Sequence, residues 1–185
     1  MRIFDLTDAD EPLVEQAAAL LVDGFRESFA WPDRESALEE VRASFGTGKI
    51  SLVAVDDDGA VLGWIGGVEQ YDGHVWELGP LVVRPDRQRQ GIGRALVLAL
   101  EARVRERGAL TLWVATDDET DATTLSGVDL YPDVLAHLAA IRNLRRHPYE
   151  FYQKLGFTIV GVLPDADGIG KPDIFLAKRV ARLQR

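Results

Sequence analysis

The clearest chemical signal in this chain is the run Gln88-Arg89-Gln90-Gly91-Ile92-Gly93-Arg94. It lies between an apolar, strand-like segment, Leu81-Val82-Val83, and a long amphipathic stretch that reads as a helix to about Arg107. Glycine has no Cβ, so positions 91 and 93 leave backbone amides open to close approach by a ligand. A helix start adds roughly half a positive charge, and Arg87, Arg89 and Arg94 add whole ones. The combination makes a cradle for a diphosphate. It is neither of two familiar phosphate motifs. The third glycine of G-x-G-x-x-G is Leu96 here, and no P-loop sequence occurs. The plain alternative is a Gly-x-Gly pair that only punctuates a helix start.

Two groups of carboxylates stand out next. Glu77 interrupts the apolar strand VWELGPLVV just before Gly79-Pro80. Burial there would raise its pKa into a range useful for a general base or a substrate anchor. The competing reading is a solvent-facing glutamate on an alternating strand. Asp117, Asp118 and Glu119 follow another strand and have no basic neighbour in sequence. Several carboxylates together suit a polycationic ligand, although exposed acidic loops are common. The chain has no cysteine, which removes disulfides, thiolate metal sites and any covalent thioester on the protein. His74, His137 and His147 are scattered, so no metal site is expected.

These residues need a scaffold. At 185 residues and 20.4 kDa, one domain spanning 1–185 is expected. With 46% hydrophobic residues it can bury a sizeable core. No apolar run approaches the roughly 18–20 residues that cross a bilayer. The acidic N-terminus lacks the apolar segment of a secretory signal. A cytoplasmic location and no membrane partner are therefore expected. The net charge of −9 speaks against nucleic acid as a partner. Basic residues predominate over 84–108 and 142–185, and acidic ones over 1–76 and 109–141.

Patterning predicts strands at about 2–6, 50–55, 61–69, 74–83, 110–116, 158–163 and 173–178. Helices are predicted at about 10–26, 33–45, 92–107, 133–143 and 148–155. The segment Phe29-Ala30-Trp31-Pro32 should break the first helix from the second. Proline cannot donate to a ladder, so the fourth strand should be bulged or splayed at Gly79-Pro80. This order predicts an α/β (α+β) fold, with a central mixed, largely antiparallel sheet and helices on both faces.

At this point the chain resembles a known family. RQRQGIGRAL (87–96) is similar to the acetyl-coenzyme A motif Q/R-x-x-G-x-G/A of the GNAT acetyltransferase superfamily. FYQKLGF (151–157) resembles that superfamily's second signature, an aromatic-Tyr helix running into a Gly-Phe strand. WELGPLVV (76–83), ATDDET (115–120) and the HPYEFYQKLGF…LPDADG…GKPDI region (147–174) more closely resemble aminoglycoside 6'-N-acetyltransferases. Two positions depart from the pattern. The superfamily's asparagine before the tyrosine is Arg145, and Gly79 stands where some members carry histidine.

The resemblance implies a three-layer GNAT fold and direct acetyl transfer from acetyl-CoA to an amine, with no metal. Leu81, Val82, Val83, Gln88, Arg89, Gln90, Gly91, Ile92, Gly93 and Arg94 would bind the coenzyme. The backbone N–H of Leu81 would polarise the thioester carbonyl, and Tyr152 would protonate the leaving thiolate. Glu77 would act as base or anchor. Asp117, Asp118, Asp173 and Trp31 would meet a cationic small-molecule amine. Tyr149 and Phe151 are expected to pack in the core, and His147 to cap a helix locally. Family members resembling this chain are often homodimers, so a homodimer is expected. Rival expectations are another amine acceptor (a polyamine or a natural aminosugar) and a non-catalytic acyl-CoA-binding module.

Overall fold

The computed structural model describes residues 1–26 and 30–181, so Phe29 lies outside the described residues. The chain forms two compact units, Met1–Leu112 with Val180–Arg185, and Trp113–Arg179. In chain order the elements are β1 (Arg2–Asp5), α1 (Glu11–Gly24), α2 (Arg34–Ala43), β2 (Lys49–Val55), β3 (Val61–Gln70), β4 (Val75–Val83), α3 (Ile92–Glu106), β5 (Thr111–Asp117), α4 (Val134–Ala139), α5 (Tyr149–Lys154), β6 (Thr158–Leu163) and β7 (Asp173–Arg179). The α/β class, the largely antiparallel pairing and the order of elements agree with the sequence expectation.

In the first unit, β1 to β4 pair antiparallel in sequence order. Helices α1 and α2 cover one face. Val14, Ala17, Ala18 and Leu21 of α1 and Ala37 and Val41 of α2 are buried with Val53, Trp64 and Val82 of the sheet. Their spacing is the stripe that makes an amphipathic helix pack. Asp33 starts α2, its Oδ1 accepting from the Ser36 amide at 2.8 Å. Asp10 does not cap α1. Its carboxylate accepts instead from the amide and hydroxyl of Thr7.

Helix α3 covers the opposite face, and two strand glycines set how closely. A Cβ on Gly63 would stand 3.0 Å from Leu96 Cδ1, and one on Gly67 would stand 2.8 Å from Leu100 Cδ1. Each would push a leucine methyl aside, so glycine lets this helix sit closely on β3. At its far end Gly108, at φ +85°, closes α3.

The interruption of β4 takes the form of a bulge. Ile65 faces Leu81, and Gly67 faces Leu78, so Gly79 and Pro80 together oppose Gly66. The extra residue changes the parity of the strand. Trp76 and Leu78 are buried on the α3 face, with Arg107, just past the end of α3, lying 5.1 Å over the Trp76 ring. Glu77, paired with Val68, is left on the same face as Trp64 and Val82. In an unbulged strand it would share a face with Leu81 and Val83.

In the second unit β7 lies between β5 and β6, pairing antiparallel with β6. Helix α4 is shorter than the pattern predicts. Beyond Ala140 the backbone turns to loop partners: Thr124 N–H donates to the Arg142 carbonyl, and Leu144 N–H donates to that of Ala122. Those bonds replace the helical ones that periodicity alone would continue.

Candidate functional site

The first unit presents the turn into α3. Gly91 caps the helix at φ +87°, ψ 0°, a left-handed conformation, with no side chain capping it. A Cβ at Gly91 would meet nothing within 4 Å, so the turn opens outward. The first-turn amides of an α-helix have no intrahelical acceptor, and no acidic residue sits in this first turn. Arg89 and Arg94 are exposed beside it. Gln88 and Gln90 instead brace the loop, their amides donating to the carbonyls of Val83 (3.3 Å) and Asp86 (3.5 Å). Ile92 is buried, so only its backbone can serve a ligand. The turn therefore suits a diphosphate.

The strand leading to that turn also offers backbone. Arg84 N–H donates to Leu62 O on β3 at 2.9 Å. Alternation then turns the Val82 amide toward β3 and the Leu81 and Val83 amides away from it. Leu81 is thus oriented as a donor in its own right. The side chain of Val82 is buried in the α1–α2 core.

Glu77 is half-buried, and burial raises its carboxyl above the usual range, an effect the Gln70 amide partly offsets. Gln70 Nε2 donates to Glu77 Oε2 at 2.6 Å. Trp31 packs its ring edge-on against Phe25 at 4.8 Å, beside the α1–α2 core. That position is accounted for by packing and gives no sign of a sugar wall.

The second unit concentrates negative charge where β5 ends. Carboxylate oxygens of Asp117, Asp167 and Asp173 lie within 4.8 Å of one another. One Asp173 oxygen, Oδ1, is buried with no hydrogen-bond partner. Burial, reinforced by Asp117 and Asp167, pushes the Asp173 carboxyl up to about 8. The Asp167 carboxyl is raised by burial and then by Asp117. Glu119 is raised by burial, Asp167 and Asp117. Carboxylates this crowded cannot all ionise comfortably without a cation. The set offers only oxygen donors, which suits an ammonium or a hard cation. The expectation of no metal site weighed cysteine and histidine alone and overlooked this group.

Asp118 departs from its expected role. It is fully buried, and its carboxylate accepts from the amides of Ala122 and Thr123 and from the Thr123 hydroxyl at 2.6–2.9 Å. Those bonds staple the loop after β5 and leave no face for a substrate. Asp167 was missed in sequence because it stands fifty residues from Asp117, separated from it by two helices and a strand. Its signal was the LPDADG segment.

Tyr149 and Tyr152 of α5 are buried, and the Tyr152 ring meets Phe151 and Phe157 edge-on at 5.0 and 5.6 Å. Burial raises the Tyr152 phenol, keeping it protonated at neutral pH. His147, just ahead of α5, is buried as well and reaches Asp117 O with Nε2 at 3.1 Å. Its reach goes beyond local capping.

The profile of the acetyltransferase (GNAT) family matches residues 15–125. An aminoglycoside 6'-N-acetyltransferase solved with coenzyme A is 42% identical, with 100% of each chain covered and a TM-score of 0.91. The aminoglycoside 6'-N-acetyltransferase from Enterococcus faecium is 43% identical, again with 100% of each chain covered, at a TM-score of 0.89. The mycothiol acetyltransferase of Thermomonospora curvata is 33% identical over 138 residues, which are 75% of this chain and 44% of that protein. The chain thus spans less than half the length of that relative. No helix among the described residues is long and apolar enough to cross a membrane.

Proposed function

The chain belongs to the GNAT family of acetyltransferases, and on that footing we propose that it acetylates the 6'-amine of aminoglycosides from acetyl-CoA, by direct transfer in a ternary complex. The observation that carries the reading is the convergence of Asp117, Asp167 and Asp173 within 4.8 Å. An aminosugar brings several ammonium groups, and each finds a charge-assisted partner in such a set. Likeness over the full chain to two aminoglycoside 6'-N-acetyltransferases supports the same choice.

Bound acetyl-CoA supplies the activated acetyl group. The α3 turn, with Gly91, Gly93, Arg89 and Arg94, holds its diphosphate. Leu81 N–H, directed away from β3, donates to the acetyl carbonyl oxygen, where charge develops. Glu77 takes the proton that the substrate ammonium must lose before its nitrogen can attack. Its upward shift fits that task. Tyr152 holds the proton for the departing sulfur. Changing Tyr152 to Phe therefore lowers kcat about 100-fold while leaving coenzyme affinity intact; an unchanged kcat, with chemistry rate-limiting, removes Tyr152 from the reaction.

The test of the reading is free thiol, followed with acetyl-CoA and kanamycin or tobramycin. Sustained release that depends on the drug is the expected result. The match to a mycothiol acetyltransferase favours a second reading, another small-molecule amine as acceptor. Release with spermidine or a natural aminosugar, but not with the drugs, selects it. Coenzyme binding without turnover on any amine selects a non-catalytic module.

A further inference from the structure

Resting on the reading above, we infer that His147 is a positioning residue for the transfer, a strut that ties the helix of Tyr152 to the end of the strand that carries Asp117. Both ring nitrogens are committed. Nδ1 accepts the Tyr149 amide at 3.3 Å, and Nε2 stands 3.1 Å from the Asp117 carbonyl oxygen. A carbonyl only accepts and an amide N–H only donates, so the ring is the neutral tautomer with its proton on Nε2. Burial favours that neutral form, against the opposing pull of Asp118.

The ring is held in turn by its own backbone. Asn143 Nδ2 donates to the His147 carbonyl at 2.9 Å, and Asn143 Oδ1 accepts from its amide at 2.8 Å. Each end of the strut meets a group the reaction uses. Tyr149 opens α5, where Pro148 offers no side-chain cap, so the imidazole supplies the acceptor that a first-turn amide otherwise lacks. Tyr152 lies one turn further on. Asp117 contributes its carboxylate to the cluster with Asp167 and Asp173. One imidazole therefore sets the phenol and the ammonium-binding carboxylate with respect to each other.

Three variants separate the two ends. In His147→Asn the side-chain oxygen falls near Nδ1, keeping the helix cap and losing Asp117. In His147→Gln the amide nitrogen falls near Nε2, keeping Asp117 and losing the cap. His147→Ala loses both. With kanamycin as acceptor, H147N raises KM for the drug about tenfold and holds kcat within about threefold, whereas H147Q does the reverse, each variant losing one hydrogen bond of the pair. H147A shows both changes. A second readout needs no turnover: the ring resonances of Tyr152 move in H147Q and stay in place in H147N. If H147N and H147Q, both folded by circular dichroism, keep wild-type constants and Tyr152 resonances and lose only melting temperature, the strut is overturned. If the wild type fails to acetylate kanamycin, the functional reading fails, and the resonances decide the strut by themselves.

Discussion

The turn into α3 and the carboxylate group at the end of β5 are suited to opposite charges and are built from different materials. The turn is made mostly of backbone: a left-handed glycine, helix-start amides and outward space, with arginines alongside. Such donors are held in place by the helix, so little ordering is needed when a ligand arrives. The carboxylate group is made of side chains from separate segments, brought within 4.8 Å of one another against their mutual repulsion. One of its oxygens is buried without a partner. Under the proposed function the turn is set for an anion before one arrives, whereas the carboxylates repel one another until a cation or a proton offsets them. Like charges are gathered at a cost only where something else needs them there.

That contrast can be broken most severely at the turn. Gly91→Val puts a β-branched residue at φ +87° and fills the open cradle. Coenzyme affinity by calorimetry should fall at least about 100-fold, far more than any one charge removal achieves; retained affinity means the amides do not hold the diphosphate. A smaller effect is expected among the carboxylates. Asp117→Asn should lower kcat/KM for the drug about tenfold, the scale of one charged hydrogen bond, with KM for acetyl-CoA unchanged.

Its neighbour sharpens the distinction. Asp118→Ala should destabilise the fold by about 2–3 kcal/mol, because three donors are orphaned in a buried loop. Activity per folded molecule should change less than that of Asp117→Asn; the opposite ranking would return Asp118 to the substrate.

The smallest effect concerns the proton on Asp173. The Asp173 carboxyl ionises at about 8 in the folded chain, above its ordinary 3.8. Between those values the folded chain holds a proton that the unfolded chain has shed, so stability falls as pH rises through that window. Asp173→Asn removes this penalty. After screening by solvent reduces the gain to about 1 kcal/mol, the melting temperature should rise about 2–4 °C at pH 8. The gain should be smaller at pH 5. Equal gains at both pH values would show that the group does not titrate in this way.

The same contrast explains what was legible in sequence. The α3 turn is contiguous, and backbone chemistry leaves a local mark in glycine positions, so the left-handed Gly91 and the helix start after it were legible, whereas the loop contacts of Gln88 and Gln90 were not. The hairpin order, the helix stripes and the interruption at Gly79-Pro80 were legible for the same reason. The cation site was only half visible. Asp117 and Asp173 were named, but Asp167 joins them through folding, and adjacent acids cannot be told apart by type. Asp117 and Asp118 are neighbours in sequence, yet one faces outward and the other is fully buried. The bulge likewise re-aims Glu77 in a way that alternation along β4 does not reveal. Trp31 packs partly buried against the α1–α2 core, and an aromatic after a helix break does not reveal by type whether it packs or also meets a ligand.

Which nitrogen receives the acetyl group decides the proposed activity, and the product formed from kanamycin and acetyl-CoA shows it most directly. Nuclear magnetic resonance of the purified product should show a single acetyl on the 6'-nitrogen, and an analogue with a hydroxyl at that position should remain unmodified. Acetylation at another nitrogen, or equal turnover of the hydroxyl analogue, would contradict it.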